Sequence, residues 1–122
     1  MTEQAGTELK GKVAIVTGAG RMRGIGRGTA VVLARMGANV VVTGTGRDPS
    51  TFPQDEKDAG WRDIQSTAEQ IESYGVKALP LVSNVADEDD VQKMIDDTVA
   101  EFGRVDIIVN NAAAPYGNDR VS

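Results

Sequence analysis

The chain contains no cysteine and no histidine. Without cysteine there are no disulfides and no thiolate metal sites, which fits a reducing compartment, so a cytoplasmic location is expected. Without histidine there is no Ser-His-Asp triad, no histidine general base and no His-ligated metal site, and no bound metal is expected. No apolar run approaches the roughly 20 residues that cross a bilayer. The opening "MTEQAGTELKGK" lacks the apolar stretch of a secretory signal, and residues 1–10 read as a loose polar lead-in. A basic surface is missing as well. The formal net charge is −5, which argues against nucleic acid, whose binding draws on basic stripes, and against an anionic membrane.

What remains suits one soluble domain: 122 residues, 40% hydrophobic and 25% charged. Residues 12–17, "KVAIVT", form a continuous apolar run, as in a strand buried on both faces. Residues 24–36 follow with Ile25, Thr29, Val32, Leu33 and Met36 at helical spacing, closed by Gly37. "NVVVTG", 39–44, reads as a second buried strand. Residues 45–60, rich in Pro, Gly and charge, read as a long surface loop. A helix over 64–74 carries Ile64, Ala68 and Ile71 on one face. A strand follows over 76–82, less secure because Pro80 cannot donate to a ladder. Residues 87–102 make the clearest helix: Asp87 caps it, Glu88, Asp89 and Asp90 meet the positive end of its dipole, and Gly103 ends it. A last strand covers 105–110, and 112–122 begin a further loop. The alternation β-α-β-α-β-α-β predicts an α/β fold with a doubly wound parallel sheet, which binds ligands at the C-terminal ends of its strands.

The stretch "VAIVTGAGRMRGIGRGTA" sets five glycines between the first strand and the first helix. A helix N-terminus offers unpaired N–H groups and partial positive charge, and glycines let the backbone come close to a pyrophosphate. Gly18 and Gly20 would form the turn; Gly24, Ile25 and Gly26 would open the helix; Arg21, Arg23 and Arg27 add charge that a bare turn does not require. The strict G-x-G-x-x-G spacing is absent, so the position within a β-α-β unit carries the reading. The plain alternative is a glycine-rich turn without a ligand.

These residues resemble the short-chain dehydrogenases/reductases. Their motif T-G-x-x-x-G-x-G is matched by Thr17, Gly18, Gly24 and Gly26, with two additional residues in the loop. Their N-N-A-G motif is matched by Asn110, Asn111, Ala112 and Ala113, with alanine in the last place. Their Asp- or Asn-Val pair after the third strand is matched by Asn84 and Val85. The resemblance implies a Rossmann-like fold and a nicotinamide cofactor. Gly18, Arg21, Arg23, Gly24, Ile25 and Gly26 would hold the pyrophosphate region, Asn84 and Val85 would flank adenine, and Asn111, Ala112 and Ala113 would line the ribose and nicotinamide side.

Enzymes of this fold that use NAD place an acid at the end of the second strand; those that use NADP bring in an arginine. Here Gly44 holds that position and Thr45, Gly46 and Arg47 follow. Arg23, Thr45 and Arg47 are therefore expected around a 2′-phosphate, and NADP is the expected cofactor. NAD is the alternative, with Asp48 as the ribose ligand. The resemblance also implies a Tyr-x-x-x-Lys pair and an upstream serine for proton transfer. Tyr74 and Tyr116 both lack a lysine four residues on, so no catalytic residue is assigned. The chain is expected to be the N-terminal half of such a fold. A complementary C-terminal half or second chain would complete it, and it would act on a small carbonyl or alcohol, as an oligomer. The alternatives are a nucleotide-binding module without catalysis and a degenerate structural subunit.

Overall fold

The computed structural model describes residues 6–111. Its elements are β1 (Val13–Thr17), α1 (Ile25–Arg35), β2 (Asn39–Gly44), a 3-10 turn (Pro49–Thr51), α2 (Gln54–Asp58), α3 (Ile64–Glu72), β3 (Ala78–Val82), α4 (Glu88–Phe102) and β4 (Ile107–Asn110). The four strands form one parallel sheet in the order β3-β2-β1-β4. The chain thus winds outward from β1 through β2 to β3, then returns to the far side of β1. That reversal lies between β1 and β4 and opens a crevice at their C-terminal ends.

The apolar runs follow this layout. Every residue of β1 is buried, because β1 has a strand on each side and helices on both faces. On one face, Ala30 and Ala34 of α1 and Ile64, Ala68 and Ile71 of α3 pack on Val16, Val40 and Val42. The alanines let α1 lie close to the sheet. On the other face, Met94 of α4 meets Ile15 and Val41, with Leu79, Val91 and Phe102 around them. Pro80 lies in β3, opposite Val42, on a strand that has a neighbour on one side only among the described residues. An edge strand tolerates the missing donor.

The caps of α4 stand as its sequence implies. Asp87 accepts from the N–H groups of Asp89 at 2.9 Å and Asp90 at 3.3 Å, and Gly103 closes the helix at φ 80. Asp87→Ala is expected to cost about 1 kcal/mol, seen as a lower urea midpoint at unchanged slope, with Asp87→Asn keeping most of the wild-type stability.

Two expectations change. Residues 45–60 are not one open loop: they fold into the 3-10 turn and α2. Asp48 starts the turn by accepting from Ser50 N at 2.9 Å. The lead-in is not loose over its described part. Gly6 N donates to Arg35 O at 2.6 Å and Leu9 N to Met36 O at 2.8 Å, so these residues satisfy carbonyls at the end of α1.

Candidate functional site

The glycine loop leaves β1 at Gly18, whose φ of 67 belongs to the left-handed region that favours glycine. Ala19 N then donates to Thr43 O at 2.9 Å, which ties the loop to β2. At Gly24 the chain enters α1 with no side-chain cap and no acid in the first turn, unlike α4. The first-turn amides of α1 are left without a side-chain acceptor. Gly26 packs on the loop more closely than a side chain permits: a Cβ there would stand 2.3 Å from Gly18 O and 2.7 Å from Asn111 Nδ2. Asn111 closes the third side, with Nδ2 donating to Gly18 O and its N–H to Thr17 Oγ1, each at 3.0 Å. Asn110, the last residue of β4, accepts from Thr17 Oγ1 at 3.1 Å, so the asparagine pair fixes the turn after β1.

A cavity of about 300 Å³ opens over the strand ends beside this loop. Of the sequence-predicted residues, Gly18, Arg21, Thr45, Arg47, Asn84 and Val85 line it. Arg23, Gly24, Ile25 and Gly26 do not; they stand at the start of α1, where Ile25 is 79% exposed. Ala112 and Ala113 lie outside the described residues. Thr43 also lines the cavity; its hydroxyl is buried with no hydrogen-bond partner among the described residues. A buried hydroxyl left so is costly unless a ligand or water meets it.

The arginines expected at a 2′-phosphate are otherwise engaged. Arg23 Nε pairs with Asp55 Oδ2 at 2.5 Å, and this bond holds the Asp55 carboxyl below its usual pKa. Arg47 is largely buried, its side chain 13% exposed, between two carboxylates. Its Nη2 meets Asp63 Oδ1 at 2.5 Å and Glu56 Oε1 at 3.0 Å, and its guanidinium lies 4.4 Å from the Phe52 ring centre. Asp48, the acid considered for the ribose, is taken up by its turn; the Ser50 N–H lowers its pKa.

Residues outside the sequence reading prove central. The two-residue extension of the glycine loop is clasped by the segment after β2. Trp61 Nε1 donates to Gly20 O at 2.6 Å, Glu56 Oε2 accepts from Met22 N at 2.9 Å, and Thr67 Oγ1 donates to Ala19 O at 2.7 Å. Asp63, 7% exposed, stands where β2 ends and also lines the cavity. Its φ of 60 and ψ of −134 make it the one non-glycine with positive φ among the described residues. Such a conformation costs on the order of 1–3 kcal/mol and persists where its surroundings hold it. A signal was present in the two lengthened segments, but polar residues in a Pro- and Gly-rich stretch read as solvated.

Residues 12–121 match the family model for short chain dehydrogenases. A 12alpha-hydroxysteroid dehydrogenase of a Clostridium species is 38% identical over 109 residues, covering 85% of this chain and 37% of its own length. The crystal structure of a short chain dehydrogenase from Mycobacterium paratuberculosis bound to NAD is 34% identical with a TM-score of 0.71, over 92% of this chain and 41% of that one. That of carveol dehydrogenase from Mycobacterium avium in complex with NAD is 29% identical with a TM-score of 0.70, over 88% of this chain and 38% of that one. The chain therefore spans well under half the length of these relatives. Its sheet order, its glycine loop and these matches agree: the chain belongs to the short chain dehydrogenase family, and what it contains is the N-terminal, Rossmann-like portion of that fold.

Proposed function

We propose that this chain is the nucleotide-binding half of a cytoplasmic NAD(P)-dependent oxidoreductase, which transfers hydride between the nicotinamide and a small alcohol or carbonyl compound. One observation carries the proposal: the close approach of Gly26 to Gly18, which seats the uncapped start of α1 against the loop that leaves β1, the strand beside which the order reverses. The residues present fit a dinucleotide. Gly18, Gly24, Ile25 and Gly26, with Arg21 and Arg23, take the pyrophosphate. Asn84 and Val85 flank the adenine; Asn84 Oδ1 already accepts from Ala86 N at 3.0 Å, which leaves its Nδ2 for an acceptor on the ring edge. Asn111, Ala112 and Ala113 border the ribose and nicotinamide. Under the NADP reading, Thr45 is the predicted 2′ contact left uncommitted, because Arg23 and Arg47 are held by acids.

The cofactor supplies the hydride chemistry. This chain's residues bind and orient it, and the proton-transfer residues come from a further segment or second chain carrying Tyr-x-x-x-Lys, within an oligomer. Tyr74 does not serve: it follows α3 and packs, half-buried, against the core. Denaturing and native mass spectrometry of the protein from its source tests this directly. The proposal expects a Tyr-x-x-x-Lys sequence in the same chain or a co-purifying one, with turnover visible in reduced-nicotinamide absorbance. Nucleotide binding without that sequence and without turnover would make the chain a non-catalytic module.

A further inference from the structure

We infer that Asp63 replaces the acid usually found at the end of the second strand, accepts the adenosine ribose 2′-hydroxyl through Oδ2, and makes the site selective for NAD over NADP. This rests on the dinucleotide reading above. The end of β2 is Gly44, which has no side chain to offer. The carboxylate of Asp63 stands beside the volume a side chain would take there, with Oδ2 3.3 Å from the position of a Gly44 Cβ. It fills the same role at Gly20, where a Cβ would lie 2.3 Å from Oδ1 and 3.0 Å from Oδ2. Gly20 thus makes room for the carboxylate, and Gly44 for the carboxylate together with Ile64, whose Cγ2 would stand 2.9 Å from such a Cβ. The backbone adopts a positive φ at a residue other than glycine to deliver it.

The two oxygens of Asp63 are not equivalent. Oδ1 takes both Arg47 bonds, from Nε at 3.0 Å and Nη2 at 2.5 Å. No hydrogen bond among the described residues falls on Oδ2, and the residue lines the cavity. A carboxylate held in one orientation, with one oxygen open to the crevice, is an acceptor for a hydroxyl. It is a poor neighbour for a 2′-phosphate, which carries nearly two negative charges. Arg47 does not compensate. It lies between Asp63 and Glu56, so the group as a whole is negative; its Nε and Nη2 are taken by these acids, and its Nη1 is buried. The cationic side chain left on the cavity wall is Arg21, which is exposed.

Isothermal titration of the protein with NAD+, NADP+ and NAD+ lacking the adenosine 2′-hydroxyl tests this by binding alone. The wild type should bind NAD+ about tenfold or more tightly than either other ligand, as expected for a hydrogen bond to a charged acceptor. Asp63→Asn should erase the difference between NAD+ and its 2′-deoxy form and raise relative affinity for NADP+; Arg21→Ala should leave the NAD+ preference in place. If Asp63→Asn fails to fold, the 2′-deoxy comparison on the wild type decides alone. Equal affinity for NAD+ and its 2′-deoxy form overturns the inference. So does an NADP+ preference, which would be assigned to Arg21 if Arg21→Ala removed it. Binding of none of the three ligands overturns the dinucleotide reading itself, and the inference with it.

Discussion

Gly26→Ala is expected to lower dinucleotide affinity by about a hundredfold and to destabilise the fold by about 1–3 kcal/mol. The added Cβ would stand 2.3 Å from Gly18 O, 2.7 Å from Asn111 Nδ2 and 3.0 Å from Gly18 C. Two of these three atoms are backbone, and they belong to a residue fixed at positive φ between β1 and the loop. Neither can swing aside as a long side chain would. Relief must come from moving α1 away from Gly18, and that movement withdraws the amides proposed to meet the pyrophosphate. Alanine's better helix propensity offsets little, because Gly26 is in the first turn of α1. Gly28→Ala is the control. It lies in the same helix, and a Cβ there meets nothing within 4 Å. That change should stabilise by about 0.5–1 kcal/mol and leave affinity unchanged. Denaturation midpoints and nucleotide titrations of the two variants check both halves. Equal behaviour of the two would contradict the packing argument.

Arg47→Met is expected to cost about 3–5 kcal/mol, because it strands two buried carboxylates. Asp63 and Glu56 are 7% and 2% exposed, and both face the one guanidinium. Domains of this size have a total stability of about 5–15 kcal/mol, so the variant should be marginal at ambient temperature. The loss should spread to the glycine loop, since Glu56 also accepts from Met22 N. The cluster is not perfectly satisfied: Arg47 Nη1 and Glu56 Oε1 lack hydrogen-bond partners among the described residues. Hence the triple change Arg47→Met, Asp63→Asn, Glu56→Gln should recover part of the loss by removing the stranded charge. Urea denaturation of the wild type, single and triple variants measures this. A single variant as stable as the wild type would show that the pairs add nothing.

The contrast between these two sites explains what could be read without the structure. The glycine loop was legible because its signal is local. A buried strand, a run of glycines and a helical stripe follow one another along the chain, and Thr17, Gly18, Gly24 and Gly26 fall in sequence. The caps of α4 were legible for the same reason, with Asp87 and the N–H groups that donate to it two and three residues apart. The acid-lined wall of the crevice was not. Its bonds join residues 34 and 41 positions apart, Met22 to Glu56 and Gly20 to Trp61. Each partner sits in a stretch whose proline, glycine and charge imply solvent. Glu56 is buried only because Arg47 and a loop amide meet it there, and no periodicity announces such a pairing. The arginines in turn looked free for a 2′-phosphate, because sequence gives their charge and not their partners.

Hydrogen–deuterium exchange with and without saturating dinucleotide reads the nucleotide site amide by amide. Exchange is expected to slow at the amides of residues 18–27 and at Asn84 and Val85, with little change along the outer face of α4. Slowing absent from residues 18–27 while the dinucleotide is bound would contradict that expectation. The glycine loop would then be a structural turn and the nucleotide would sit elsewhere.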